Sequence, residues 1–141
     1  MFVEVNGYEI GPGANLSGIN LSDVNLSGVD LSGAKFIGTD LSRSNLSNAN
    51  FSGANFTGAN LTGADLSDAC FFSTDLYGAK LSGAKINGTN FASAVLIGAD
   101  LDGVDQEGAD FTGAKFTQTE QIRGERGPEI PLKSTLWWRA T

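Results

Sequence analysis

The sequence predicts an all-β solenoid, in which short coils stack into a narrow tube. Three observations lead to this prediction. A five-residue unit repeats in tandem, most plainly as ANFSG, ANFTG and ANLTG over residues 49–63. An apolar residue recurs at every fifth position, a spacing that matches no single face of an α-helix. Glycine accounts for 19 of the 141 residues, without the three-residue period of collagen.

The repeat spans residues 14–118 almost without interruption. Each unit but one has an apolar centre, and every unit has a small or β-branched residue two positions before its centre and, usually, Asn or Asp directly before it. Ser or Thr usually follows the centre, and Gly often closes the unit. The centres are Leu16, Leu21, Leu26, Leu31, Phe36, Leu41, Leu46, Phe51, Phe56, Leu61, Leu66, Phe71, Leu76, Leu81, Ile86, Phe91, Leu96, Leu101, Gln106, Phe111 and Phe116.

An extended chain explains this period, whereas a helix does not. On a helix, a step of five residues advances about 500°, so the apolar centres would be spread around every side. In an extended chain, residues two apart point the same way, so the centre and the small residue before it face inward together. Gly then fits a bend because it tolerates positive φ, and Asn or Asp supports a turn through local hydrogen bonds. Each unit is therefore a short side followed by a corner.

The tandem A(N/D)(L/F)(S/T)G units over residues 14–118 resemble the pentapeptide-repeat family. The resemblance implies a right-handed quadrilateral β-helix with four units per coil. Stacked positions would then be 20 residues apart, and a spacing of about 4.8 Å gives about five coils and a rod of about 25 Å. One inner ladder would comprise Leu31, Phe51, Phe71, Phe91 and Phe111. The resemblance says little about activity, which differs between family members.

Gln106 is the one polar residue among the centres. A buried amide without hydrogen bonds costs about 1–3 kcal/mol. We expect Gln106 to lie in a frayed last coil, where the following segment or water satisfies its amide.

Residues 1–13 form the predicted N-terminal cap. Alternating residues around Asn6-Gly7 favour a hairpin, because both central turn positions need positive φ. A single extended segment with a bend is the alternative. Either form would cover the open edge of the first coil, as repeat stacks require.

Residues 119–141 form a C-terminal tail in which Gly124, Gly127, Pro128 and Pro131 disfavour a long helix. Its end carries the apolar Leu136-Trp137-Trp138. Three interpretations remain open: the tail caps the last coil, docks on another protein or another copy, or is largely disordered. Capping is the favoured one.

The composition offers no catalytic chemistry, so we predict no enzyme, no catalytic residue, no cofactor and no metal site. Histidine is absent, which removes the commonest general base and metal ligand. The acidic zone from Asp100 to Asp110 has side chains expected on several faces, which favours a solvated rim over a cation site. Cys70 is expected to be an outward-facing free thiol, with redox sensing or an intermolecular disulfide as the alternative.

The most informative departures from the repeat are apolar residues on the predicted outer surface. Ile37, Tyr77 and Ile97 share one outer column, with Val95 on the same face and Phe72 on the neighbouring one. Exposed apolar patches often mark interfaces, although scattered ones are normal. The predicted interaction surface comprises Ile37, Phe72, Tyr77, Val95, Ile97, Trp137 and Trp138.

Charge and segment composition restrict the partners. The net charge of −7 argues against direct binding of nucleic acid, which needs a basic face. No signal peptide or membrane-spanning segment is evident, so a cytoplasmic location without membrane binding is predicted. A monomer is favoured, and a homodimer through the tail or the apolar patch is the alternative. Lys85 is expected to stack between Asp65 and Asp105 as surface pairing.

We therefore predict a non-enzymatic structural or protein-interaction module with an unidentified protein partner. The alternative, implied by the resemblance, is a DNA-mimic binder of a type II topoisomerase such as gyrase. Charge counts against it, because duplex DNA would carry about 15 charges over such a rod, whereas the repeat has a formal charge of −6. Ice binding on a flat face would need regular Thr arrays, which the repeat lacks.

Overall fold

The computed structural model describes residues 2–116, which form an N-terminal hairpin followed by a four-sided β-helix. The hairpin consists of β1 (Val3–Val5) and β2 (Tyr8–Ile10), which pair antiparallel. Asn6 and Gly7 both have positive φ, as a two-residue hairpin turn requires. Ile10 is fully buried and Val5 packs against the core, so the hairpin is anchored to the first coil of the helix.

Parallel bridges between residues 20 apart build the helix, from Asn15 with Lys35 to Val95 with Lys115. The Leu16 N–H donates to the Lys35 carbonyl at 2.8 Å, and the Lys35 N–H donates back to the Ala14 carbonyl at 2.8 Å. The same exchange recurs along much of the tube. Since each unit has five residues, a 20-residue step places four units in each coil, as predicted.

The tube has four sides, each identified by its inward-facing centres. The outer surfaces of these sides are called faces 1 to 4. Face 1 has centres Leu16, Phe36, Phe56, Leu76, Leu96 and Phe116. Face 2 has Leu21, Leu41, Leu61, Leu81 and Leu101. Face 3 has Leu26, Leu46, Leu66, Ile86 and Gln106. Face 4 has Leu31, Phe51, Phe71, Phe91 and Phe111.

The corners adopt left-handed backbone conformations whether or not they contain glycine. Gly18 and Gly28 have φ of 74° and 72°, and Arg43 and Ser73 occupy equivalent corners with φ of 59° and 55°. The residue before each centre supports the turn that follows. The Asn20 Oδ1 atom, for example, accepts from the Ser22 N–H at 2.9 Å and from its hydroxyl at 2.7 Å. This local bonding explains why Asn and Asp dominate that position.

The core is a stack of inward side chains, and the predicted phenylalanine ladder is present on face 4. Ring centroids lie 4.8 Å apart for Phe51 and Phe71, 5.3 Å for Phe71 and Phe91, and 5.2 Å for Phe91 and Phe111. Phe56 on face 1 lies 5.2 Å from Phe71 and joins the ladders of the two faces. The coils are therefore held together by apolar packing as well as by backbone hydrogen bonds.

Hydroxyl groups replace some of the inward alanines without leaving a polar group unpaired. The Thr74 hydroxyl donates to the Phe51 carbonyl at 2.9 Å, and that of Thr89 donates to the Leu66 carbonyl at 2.7 Å. Thr39 and Ser44 make equivalent bonds to Leu16 and Leu21. Each bond links successive coils on the inside of the tube, where a net gain of about 1 kcal/mol is typical.

Gln106 keeps the inward position of a centre and is only 4% exposed. Neither its Oε1 nor its Nε2 atom has a hydrogen-bond partner among residues 2–116. The expectation of a frayed coil was therefore wrong for Gln106 itself, because its side chain is packed in the ladder above Ile86. The following segment, which was expected to satisfy the amide, lies outside the described residues.

Over residues 2–116, the structure contains no helix long and apolar enough to cross a membrane.

Candidate interaction surface

Face 1 carries the column that contains three of the predicted surface residues. The Gly18 N–H donates to the Ile37 carbonyl, that of Gly38 to Thr57, that of Gly58 to Tyr77 and that of Gly78 to Ile97, each at 2.9 Å. The outer column is therefore Ser17, Ile37, Thr57, Tyr77 and Ile97, one coil apart. Tyr77 and Ile97 are direct neighbours, whereas Thr57 separates them from Ile37.

These side chains differ in exposure. Tyr77 is 53% exposed and Ile37 is 43% exposed, which places both among the most exposed large apolar side chains of the described chain. Ile97 and Val95 are half-buried on either side of Leu96. Val95 stacks between Asp75 and Lys115 in the parallel column of face 1. The structure thus brings Tyr77, Val95 and Ile97 onto one surface at adjacent levels.

Phe72 lies on face 4, on the other side of the corner at Ser73. Its side chain is 46% exposed, so it extends the apolar surface of face 1 around one edge of the rod. Cys70, at the same level, is a half-buried free thiol whose Sγ atom lies 3.1 Å from the Ser52 hydroxyl. Among the predicted surface residues within residues 2–116, Phe72 therefore lies at an edge of the rod, and the other four share face 1.

Charges are distributed unevenly over the four faces. Face 1 carries Lys35 and Lys115 against Asp75, so it is the one described face without a negative formal charge. Face 2 has three acidic residues against Lys80, and face 3 has Asp65, Asp105 and Glu107 against Lys85. Face 4 carries Asp30 and Asp110. The exposed apolar side chains Ile37 and Tyr77 therefore lie on the face with the least negative formal charge.

Faces 2, 3 and 4 thus have equal negative formal charge, and the ion pair at the corner between faces 2 and 3 was not singled out from the sequence. At the corner between these faces, the Arg43 guanidinium donates to both carboxylate oxygens of Asp23, at 3.0 and 2.9 Å. This bidentate contact lowers the pKa of Asp23 and raises the pKa of Arg43. The 20-residue separation of the two residues could have indicated the contact, since stacked corners share that spacing.

The other charged predictions have mixed outcomes. Lys85 does stack between Asp65 and Asp105, as expected. The only salt bridge within residues 2–116 is nevertheless the Arg43–Asp23 pair.

No three His, Cys, Asp or Glu side chains of this part of the chain approach closely enough to hold a metal ion. Trp137 and Trp138, the remaining predicted surface residues, lie outside the described residues.

Serine hydroxyls stabilise the charged form of several aspartates. The Ser42 hydroxyl and N–H both donate to Asp40 Oδ1, at 2.7 and 3.0 Å, and lower the pKa of that carboxyl. The pKa of Asp65 is lowered mainly by its hydrogen bonding with the Ser67 side chain. Because the folded pKa lies below the unfolded one, this stabilisation is present above the unfolded pKa and is lost as the pH falls through the folded pKa.

Replacing Asp40 with Asn is therefore expected to flatten the acid limb of the stability curve. Asn20 and Asn60 occupy equivalent positions on face 2, and Asn20 accepts the same two bonds from its following serine. The melting temperature, measured between pH 7 and 2, should fall less steeply below about pH 4 in D40N than in the wild type. Ser42→Ala should give an intermediate curve. Parallel curves for wild type and D40N would refute this role of Asp40.

The comparisons with known proteins agree with this architecture. A family model described as pentapeptide repeats matches the chain in 8 copies, over residues 13–43, 39–76, 74–113 and 89–120. A solved pentapeptide repeat protein of the Arabidopsis thaliana thylakoid lumen is 31% identical, with a TM-score of 0.72. The match covers 74% of this chain and 73% of that one. No curated protein sequence matches the chain.

Two further solved structures superpose more loosely. Rfr23, a pentapeptide repeat protein from the cyanobacterium Cyanothece 51142, is 25% identical with a TM-score of 0.40, over 74% of this chain and 85% of that one. QnrB1, a plasmid-mediated fluoroquinolone resistance protein, is 22% identical with a TM-score of 0.33, over 77% of this chain and 80% of that one. Neither superposition is close enough to support an argument about function.

Proposed function

Since the chain belongs to the pentapeptide-repeat family, we propose that it is a non-enzymatic interaction module that binds a protein partner through face 1. A stack of coils offers flat, rigid sides whose side chains are held at fixed spacing by the backbone ladder. Binding to such a surface loses little conformational freedom in the rod, because its backbone is already ordered.

The observation that carries this proposal is the coincidence of Tyr77 and Ile97 at adjacent levels of face 1. Most units have Ser or Thr at this outer position, so an aromatic and a branched aliphatic residue there are departures from the repeat. The fold does not need them, since Ser and Thr serve equally at the other levels. Tyrosine is also enriched among the residues that dominate binding energy at interfaces.

Imitation of duplex DNA to bind a type II topoisomerase is a weaker proposal. A duplex presents negative charge around its whole circumference, whereas face 1 carries Lys35 and Lys115 against Asp75. We expect no effect on gyrase supercoiling at micromolar protein. Inhibition or protection at that concentration would reinstate the topoisomerase function.

The binding proposal is tested by replacing Tyr77 and Ile97 with Ser, the residue that Ser17 supplies in the same column. Capture of host proteins by the immobilised full chain should fall by about tenfold or more, since truncating a tyrosine that dominates an interface costs about 2 kcal/mol or more. Replacing Ser27 and Ser67 of face 3 with Ala is the matched control and should leave capture unchanged. Equal capture by both pairs of variants would show that face 1 is not the binding surface.

A further inference from the structure

We propose that face 1 binds a second copy of this chain, with the two rods antiparallel and the two-fold axis passing at the level of Asn55 and Thr57. The inference rests on the proposed function of face 1 and names its partner. It is carried by the order of charged and apolar residues along two columns of that face, which is self-complementary about this level.

The first column lies directly before the centres of face 1. Successive bridges place Asn15, Lys35, Asn55, Asp75, Val95 and Lys115 in that order, one coil apart. Lys35 and Asp75 are therefore equidistant from Asn55, on opposite sides of it. They carry opposite charges, and Lys35 makes no salt bridge within residues 2–116.

The second column lies directly after the centres, in the order Ser17, Ile37, Thr57, Tyr77 and Ile97. Ile37 and Tyr77 are equidistant from Thr57. Both are large, apolar and about half exposed, at 43% and 53%. The level of Asn55 and Thr57 is thus flanked by a charged pair in one column and an apolar pair in the other.

A two-fold axis that lies in the interface and crosses the rods at right angles keeps each column opposite itself and reverses its order. This is an isologous contact, in which every pairing occurs twice. With the axis at Asn55 and Thr57, Lys35 faces the partner's Asp75, and Ile37 faces the partner's Tyr77. The five levels from Asn15 to Val95 then overlap completely.

Neighbouring registers are worse. Moving the axis by one coil, to the level of Asp75, places Asp75 opposite the partner's Asp75 and Lys35 opposite the partner's Lys115. Moving it by half a coil in the same direction places Lys35 opposite the partner's Val95. Like charges directly opposite each other are unfavourable, and so is an ammonium group covered by an apolar side chain. The charges therefore select one register among those that bury the apolar column.

The expected association is weak, because the face is small. Its length is about 25 Å and its width about 10 Å, from the spacing of coils and of residues in an extended chain. A stable interface buries about 800 Å² on each partner, which exceeds what this face provides. We therefore expect a dimer that forms at high micromolar concentration and is favoured by low ionic strength.

The test is sedimentation equilibrium of the full chain up to about 1 mM, a range set by the size of the face. The variants are Lys35→Asp and Asp75→Lys. The repeat tolerates both residue types at this position, since Asp40 and Lys80 occupy it on face 2. Each variant alone would oppose like charges twice and should raise the dimer dissociation constant at least tenfold. An equimolar mixture of the two variants restores opposite charges at both pairs and should dimerise as well as the wild type does.

Lys85→Asp on face 3 is the matched control and should leave the dissociation constant unchanged. A wild-type chain that stays monomeric at about 1 mM would overturn the proposal. This holds also if the reason for the monomer were that residues 117–141 cover face 1. Single variants that dimerise normally, or a mixture that does not recover, would overturn the register. If the dimer fails while the Tyr77 and Ile97 variants still lose captured host protein, face 1 remains a binding surface for a different partner.

Discussion

Replacing Phe71 with Ala is expected to lower the free energy of unfolding by about 3–5 kcal/mol. Phe71 is fully buried at the middle of the face 4 ladder, where its ring lies 4.8 Å from Phe51 and 5.3 Å from Phe91. It also contacts Phe56 of face 1 at 5.2 Å. Removing the ring leaves a cavity that adjacent coils cannot close, because their backbones are fixed by hydrogen bonds on both sides.

The neighbouring residue provides the control. Phe72 has the same side chain but is 46% exposed, so Phe72→Ala is expected to change stability by no more than about 0.5 kcal/mol. Chemical denaturation of the two variants measures both effects. Similar losses for Phe71 and Phe72 would contradict the inward and outward alternation on which the fold depends.

Replacing Gln106 with Leu is expected to raise the free energy of unfolding by about 1–3 kcal/mol, because it removes a buried amide without hydrogen bonds. Leucine is the commonest centre of the repeat, so the ladder accepts its shape. Glu107→Gln, at the exposed position next to it, is the control and should have an effect below about 0.5 kcal/mol. An unchanged or lower melting temperature for Q106L would mean that a group outside residues 2–116 bonds to the amide.

The interior of the fold could be predicted because its sequence signal is repeated at nearly every level. One unit such as ANFSG is compatible with many structures. Repetition of the same apolar centre at a spacing of five leaves only a tube of short sides, since no helix could bury these residues together. The 20-residue coil came from the family resemblance, and the bridge between Asn15 and Lys35 shows it directly.

Local exceptions were harder to predict, because they depend on contacts between coils. Thr74 and Thr89 occupy positions for which the sequence predicted only a small or β-branched side chain. Their hydroxyls bond to carbonyls of the preceding coil, and these bonds depend on the distance between the two coils. The Arg43–Asp23 pair likewise needs two corners to have the same left-handed conformation. Neither feature is a property of a single unit.

The surface was predicted only as a set of exceptions to the pattern. Ile37, Phe72 and Tyr77 are exposed as expected, whereas Val95 and Ile97 are half-buried. The sequence indicates that these residues are not needed by the repeat, whereas the self-complementary order of residues on face 1 depends on which residues the bridges place one coil apart. That these apolar groups share a face was predicted, but the sequence analysis did not predict that this face is the one without a net negative charge.

The measurement that tests the role of face 1 most directly is photo-cross-linking of the full chain in its native host. The photoreactive residue p-benzoylphenylalanine would replace Tyr77 on face 1, Ser82 on face 2 or Ser67 on face 3, all at the same outer position of their units. We predict cross-linked products from position 77 and none from positions 82 and 67, whether the partner is another protein or a second copy. Equal yields from the three positions, or products from 82 or 67 alone, would contradict the assignment of face 1 as the binding surface.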